Sequence, residues 1–340
     1  MNKRERLLNC IELKGDGEIF SSVSIAWVVW EKNIEFFQNL VKSCPHVSIW
    51  AGKDETRRAG SKIRDKWGCL WIYPLDYLDG QVIEHPLDDW SKFKNYTPPD
   101  PEKYIDWEKF KKDVQEAKNR GDFTSGGVDH GFFFLLLTYL RGYENAMIDF
   151  AEDNKNLYQL IEIIENYWMA VIKKYVDIGV DMIGFGDDLG LQNSLPISPS
   201  AWRKYIKPSY KKFFSFCRQH NTHVSLHTDG WIVDIIPDLI ECGVSVLNPQ
   251  DLVNGIENIK RLAKGKVCID LDIDRQKITY FGKPDDVEKH IEYCVKTLGS
   301  EKGGLLLKFG AYPGTPVENI GAVIKAFEKY HDWWVKKGST

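Results

Sequence analysis

Residues 182 to 250 read MIGFGDDLGLQNSLPISPSAWRKYIKPSYKKFFSFCRQHNTHVSLHTDGWIVDIIPDLIECGVSVLNPQ. Three short, largely apolar runs (Met182 to Gly186, His223 to His227 and Val244 to Asn248) each end in polar residues. Amphipathic segments separate them. In the one from 231 to 242, Ile232, Ile235, Ile236, Leu239 and Ile240 share one helical face. Strand, helix, strand, helix, strand is the pattern of a parallel α/β fold, where ligands sit at the C-terminal ends of the strands. The polar residues at those three ends are therefore the first place to look for chemistry.

Outward from this stretch the alternation continues. Strands are predicted near residues 19, 47, 123, 182, 223, 245, 267 and 304. Eight such strands with helices between them predict the α/β class and a (β/α)8 TIM barrel. A helix over residues 3 to 13 extends the N-terminus. Further helices are expected over Val29 to Cys44, Ile105 to Arg120, Phe132 to Phe150 and Asn154 to Val176. Residues 65 to 87, DKWGCLWIYPLDYLDGQVIEHPL, read as an inserted β-hairpin turning at Asp79-Gly80. Ser198-Pro199 and Thr315-Pro316 each set a capping hydroxyl before a helix-starting proline, and Glu318 would complete a capping box with Thr315. No proline- or glycine-rich linker divides the chain, so residues 1–340 are read as one domain, with 1–120 an N-terminal elaboration that includes the hairpin.

Composition narrows the partners. A net charge of −4 and a pI near 6.1 speak against nucleic acid or an anionic membrane surface. The longest apolar run, Phe132 to Leu137, falls far short of the roughly 18 residues of a membrane span. The charged N-terminus has no apolar signal core, and the seven cysteines include no CxxC, so reduced thiols and a cytoplasmic setting are expected. Twelve tryptophans suit both a core and a pocket for a flat or cationic ligand.

Strand parity sorts the polar residues. With Val224 and Leu226 outward, His223, Ser225 and His227 face the lumen, followed by Asp229. With Ile269 and Leu271 outward, Asp270 and Asp272 face in. Gly184, Gly186 and then Asp188 share the inner side of their strand, and Lys308, Asn248 and Gln250 point inward on theirs. Asp129-His130 tips the strand from Phe123. So many titratable groups at one end of a barrel are costly as mere packing. Plainer readings stand beside this one: Asp187 as a turn or capping residue, Asp229 as a helix cap, His223 as a satisfied interior histidine, Asp272 and Asp274 as solvated loop carboxylates. Trp27, Trp30 and Tyr312 divide evenly between core and pocket wall.

The ordered motifs GDDLG-Q, SPSAWRKYIKP, HTDG, IIPDLIECGVSVLNPQ, DIDRQ, GKPDDV and GG…TPVENI resemble the uroporphyrinogen decarboxylase superfamily, and within it the corrinoid-linked methyltransferase branch. The resemblance runs from about residue 80 onward and implies a (β/α)8 barrel. Porphyrinogen decarboxylation requires cations for a polyanion, yet the segment after the first strand, SSVSIAWVVWE, has no arginine. The lumen is instead acidic: Asp129, Asp188, Asp229, Asp270 and Asp272 against Lys308 and Arg275. Each like-charge contact costs about 4 kcal/mol at an effective dielectric near 20.

The methyltransferase branch implies zinc and a cobalamin (corrinoid) carried on a partner protein. The thiolate ligands of the thiol-directed members are absent, Asp229 standing where His-x-Cys would end. The resemblance thus implies a mixed site of His227, Asp229 and Asp188, a harder Lewis acid suited to an ether oxygen. The expected reaction takes methyl from a small methoxy or methylamine compound (O-demethylation) to a corrinoid protein. Asp188, His227 and Asp270 are the expected catalytic residues. Trp27, Trp30, Asp129, His130, Asn248, Gln250, Asp272, Lys308 and Tyr312 are the expected substrate contacts. The alternatives are a decarboxylase-like lyase for a small acid, with Lys308 and Arg275 converging on its carboxylate, and a non-catalytic barrel that binds a ligand or corrinoid protein. A homodimer is one option for the assembly.

Overall fold

The computed structural model describes residues 1–338. Its strands are β1 (Phe20–Ala26), β2 (Val47–Gly52), β3 (Lys62–Arg64), β4 (Leu70–Ile72), β5 (Gln81–Glu84), β6 (Ser125–His130), β7 (Met182–Gly186), β8 (His223–Thr228), β9 (Val246–Pro249), β10 (Cys268–Asp272) and β11 (Leu305–Ala311). Eight of these form one parallel sheet in the order β2-β1-β11-β10-β9-β8-β7-β6, with helices between successive strands. This is the expected α/β class with the strands of a (β/α)8 fold.

Two compact units make up the chain. One comprises Met1–Ala59, Leu75–Asp79 and the chain from Ser245 onward, and carries β1, β2 and β9 to β11. The other comprises Gly60–Pro74 and Gly80–Val244, and carries β6 to β8 with the small antiparallel sheet β3-β4-β5.

In the second unit the outward side of the sheet packs on helices as parity requires. Val224, Leu226 and Ile183 are wholly buried. Phe185 meets Phe214 at 4.9 Å and Phe132 at 5.2 Å, and Phe132 in turn stacks on Tyr210 at 5.3 Å. Each such buried ring contributes on the order of 2 kcal/mol or more. This aromatic layer fixes the helix Lys207–Gln219 behind β7 and β8, and so sets where their ends point.

Several boundaries differ from the sequence reading. The hairpin expected over 65 to 87 is part of a three-stranded sheet: β3 precedes it, and Ile72 pairs with Gln81 across a loop of residues 73–80 rather than a tight turn at Asp79-Gly80. The helix expected from Phe132 to Phe150 breaks into Phe134–Arg141 and Tyr143–Glu152 at Gly142, which has φ +82°. The buried Arg141–Asp149 pair, at 2.7 Å, holds that break. The helix expected over 231–242 begins only at Ile236, because Pro237 has no N–H to give and fits the first turn alone. The helix expected from Val29 to Cys44 is Trp27–Trp30 followed by Ile34–Ser43, with the Asn33 amide donating to the Val29 carbonyl in the gap. Ser198 caps its helix as expected, its hydroxyl accepting from Ala201 N–H at 3.1 Å. Thr315 caps nothing: the last long helix starts at Val317 with Pro316 as N-cap and no side-chain cap, so no capping box forms.

Candidate metal centre at the ends of β6, β7 and β8

Asp187 and Asp188 follow β7 and go opposite ways. Asp187 is fully buried, accepting from the backbone N–H groups of Phe134 (2.6 Å) and Leu135 (2.9 Å) and from the Tyr210 hydroxyl (2.6 Å). It anchors the N-terminus of the helix Phe134–Arg141, the capping role read from the sequence. Burial pushes its carboxyl up to about 6, against the pull of those three donors. Asp188 instead faces the strand ends, with one oxygen 3.2 Å from His130 Nε2 and 3.2 Å from the Asp229 N–H.

A β-bulge brings His130 there. Gly127 pairs with Gly184, but Gly186 then pairs with His130, so β6 carries one residue more than β7 over the same span. Gly186 is small for a reason: a Cβ there would sit 2.8 Å from Cδ2 of His130. His227, at the end of β8, completes the group, its ring 5.7 Å from that of His130 and its Nε2 3.5 Å from Asp229 Oδ1.

The loop after β8 is locked by close backbone approach. Gly190 N–H donates to the Asp229 carbonyl at 3.1 Å, and Trp231 N–H to the Leu191 carbonyl at 2.7 Å. Gly230, at φ +83°, leaves no room for a side chain, since a Cβ would lie 2.2 Å from the Gly190 backbone. The glycine of HTDG is thus what holds Asp229 beside His227 and Asp188.

One ligand atom each from His130, Asp188 and His227 lie within 4.8 Å of one another. Two imidazoles and a carboxylate are a donor set that zinc accepts while keeping a position open, so these residues fit the metal that the sequence resemblance implies. Asp229 stands beside this set, and His130, which the sequence reading placed among substrate contacts, stands inside it. Each of His130 and Asp188 favours the charged form of the other. The bond to Asp188 raises the pKa of His130 despite partial burial. Burial works to raise Asp188, but its bond and proximity to His130 outweigh this and hold it below the usual carboxylate value. Next to the cluster, Asp129 is bound by Lys66 Nζ at 2.5 Å and by the Tyr104 hydroxyl at 3.0 Å. Neither Lys66 nor Tyr104 carries a local sequence signal, since both lie in the stretch read as elaboration.

The other unit holds the remaining expected residues at the ends of its own strands. Asp270 on β10 is pushed up by burial, opposed by the charge of Lys308. Asp272 and Asp274 are 4% and 7% exposed, so the solvated-loop reading fails for both. Asp272 accepts from Arg275 at 2.9 Å, and Asp274 accepts the backbone N–H groups of Lys277 and Ile278. Asn248 donates to the Asp270 carbonyl, and Gln250 bridges to Asp272 along the backbone. Tyr312, under the Arg275 guanidinium, lines a cavity of about 410 Å³ with Ser24, Trp50, Lys53, Arg57 and Tyr77. Trp27 and Trp30 border a separate groove of about 630 Å³, Trp30 stacked on Phe37 at 5.3 Å.

An α/β protein with eight parallel strands and a histidine–carboxylate cluster at three adjacent strand ends is the class defined so far. The chain belongs to the uroporphyrinogen decarboxylase (URO-D) family, whose profile matches residues 74–330. It is similar to the methylcobamide:CoM methyltransferase MtaA of Methanosarcina barkeri, 22% identical over 176 residues that cover 51% of this chain and 49% of that protein. It is also similar to the uroporphyrinogen decarboxylase of Synechococcus sp. (strain CC9605), 25% identical over 181 residues, covering 53% and 48%. The chain spans about half the length of these curated relatives. Its fold matches a methyltransferase from Methanosarcina mazei with a TM-score of 0.64 at 16% identity, over 96% of this chain and 98% of that one. Among the described residues, no helix is long and apolar enough to cross a membrane.

Proposed function

We propose that this chain is a methyltransferase that takes a methyl group from a small methoxy or methylamine compound and delivers it to a corrinoid carried on a partner protein. The observation that carries the reading is the convergence of His130, Asp188 and His227 at the ends of β6, β7 and β8. The likeness to a methylcobamide:CoM methyltransferase supports a corrinoid as one party to the transfer. Zinc, if held by these three residues, would supply a Lewis acid able to draw charge from the heteroatom losing its methyl group. His227 and His130 would hold it through ring nitrogens and Asp188 through a carboxylate oxygen; in this structure Asp188 bonds His130 Nε2 and so orients that ring. Asp229, tied by its backbone to Asp188, steadies the His227 ring. Asp270, whose proton is held more tightly than in water, is the proposed proton carrier. In the unit that holds the cluster, the substrate contact proposed is Asp129.

The lyase reading asks Arg275 to meet a substrate carboxylate, but that guanidinium is already bonded to the buried Asp272. This contact weighs against it. The test is metal analysis of wild type and His227→Ala, followed by an anaerobic methyl-transfer assay with reduced corrinoid protein and a panel of methoxyarenes and methylamines. His227→Ala is expected to lose one equivalent of zinc and all transfer. Equal metal content in the two proteins, or no transfer from any donor by the zinc-loaded wild type, would overturn the proposal.

A further inference from the structure

A second group of metal-ligating side chains lies away from the cluster described above, inside the unit that carries β9 to β11. Asp251 opens the short helix Asp251–Asn254 behind β9, while His290 and Cys294 stand one turn apart on the helix Pro284–Leu298. Asp251 is 1% exposed, Cys294 is wholly buried and the His290 side chain is 8% exposed. His290 Nε2 lies 2.5 Å from Asp251 Oδ2 and 3.6 Å from Cys294 Sγ. A neutral imidazole nitrogen offers either one proton or one lone pair, so this single ring nitrogen does not serve both neighbours at once by hydrogen bonding. Carboxylate, imidazole and thiol aimed at a common point are instead a zinc-type donor set.

We propose that Asp251, His290 and Cys294 bind a structural zinc ion, distinct from any metal at His130, Asp188 and His227. On binding, the Cys294 thiol would lose its proton to solvent, while His290 would offer a ring-nitrogen lone pair and Asp251 a carboxylate oxygen. Zinc bonds of about 2.0–2.1 Å at tetrahedral angles set oxygen and nitrogen roughly 3.3 Å apart, so the Asp251–His290 pair opens by about 0.8 Å. The Sγ–Nε2 distance of 3.6 Å already suits the ion. The fourth position would go to a water molecule. The ion ties the residues just past β9 to the helix Pro284–Leu298, so that its binding free energy becomes folding free energy.

The test strips the full chain of metal and reloads it with cobalt(II) alone. Wild type and His227→Ala are both expected to show a thiolate-to-cobalt charge-transfer band, and Cys294→Ser to lack it. Among the described residues this is the one such cluster with a cysteine, so wild type alone decides the matter if Cys294→Ser does not fold. His290→Gln, which keeps the thiol, is expected to weaken the band at least tenfold at limiting cobalt. No band in wild type, or a band surviving Cys294→Ser, overturns the proposal. Loss of zinc in His227→Ala with this band intact separates the failure of one site from that of the other.

Discussion

Asp187 and Asp188 are neighbours in the chain and opposites in chemistry. One is sealed among backbone N–H groups and a tyrosine hydroxyl, the other shares its oxygen with an imidazole. Asp188→Asn removes the charge that raises His130, so the His130 pKa is expected to fall toward the ordinary histidine value, read by NMR titration of the ring. An unchanged titration would deny the pair. The linkage signs are complementary. His130 is raised, so its contribution to stability is full below its unfolded pKa of about 6.5 and lost as pH rises through the folded value. Asp188 is lowered, so its contribution is full above about 3.9 and lost as pH falls through its own folded value. The pair therefore supports the fold in the window between them. Zinc needs a neutral His130, so metal affinity is expected to drop as pH falls through the raised pKa.

Two glycines carry the elements that make the cluster. Gly186→Ala on β7 places a methyl where the His130 ring lies. Because that ring is half-exposed, it swings aside rather than breaking the strand, so zinc affinity is expected to fall at least tenfold with little change in melting temperature. Calorimetric zinc titration beside a thermal melt would check this, and unchanged affinity would refute the role given to the bulge. Gly230→Ala is a harsher change, meeting backbone at 2.2 Å and requiring a side chain at φ +83°. An expected loss of about 2–4 kcal/mol in urea unfolding follows from strain and overpacking together. Tolerance of alanine would mean that the Gly190–Gly230 contact does not set the loop.

For the molecule as a whole, Asp187 predicts a pH signature in stability. Its folded pKa of about 6 lies above the ordinary 3.8, so the folded state binds this proton more tightly. The stabilisation is present below about pH 4 and lost as pH rises through 6, amounting to roughly 3 kcal/mol. The stability difference between wild type and Asp187→Asn should shrink by about that amount between pH 4 and pH 7, measured by denaturant unfolding. A difference flat in pH would show that Asp187 stays ionised throughout.

The eight strands were legible in the chain, because apolar periodicity is a short-range property; that Asp187 would cap was also read there, but the helix it caps, Phe134–Arg141, lies some fifty residues earlier and no local pattern named it. Boundaries failed where a distant contact intervened. The buried Arg141–Asp149 pair sits at the break in a helix that periodicity alone would run through Gly142. Asp272 and Asp274 look like loop carboxylates until Arg275 and the backbone of the next helix close over them.

The amino-acid order by itself determined the class of fold and which strands end in polar, titratable residues, since apolar alternation and strand-end polarity need only a few consecutive residues. Tertiary structure alone decided that His130 joins Asp188 and His227, because one extra residue in β6 shifts its register against Gly186. It alone brought Lys66 to Asp129 and Asp251 to His290 and Cys294. Those meetings depend on bulges and on packing between segments tens of residues apart, and no local pattern encodes where such segments come to rest.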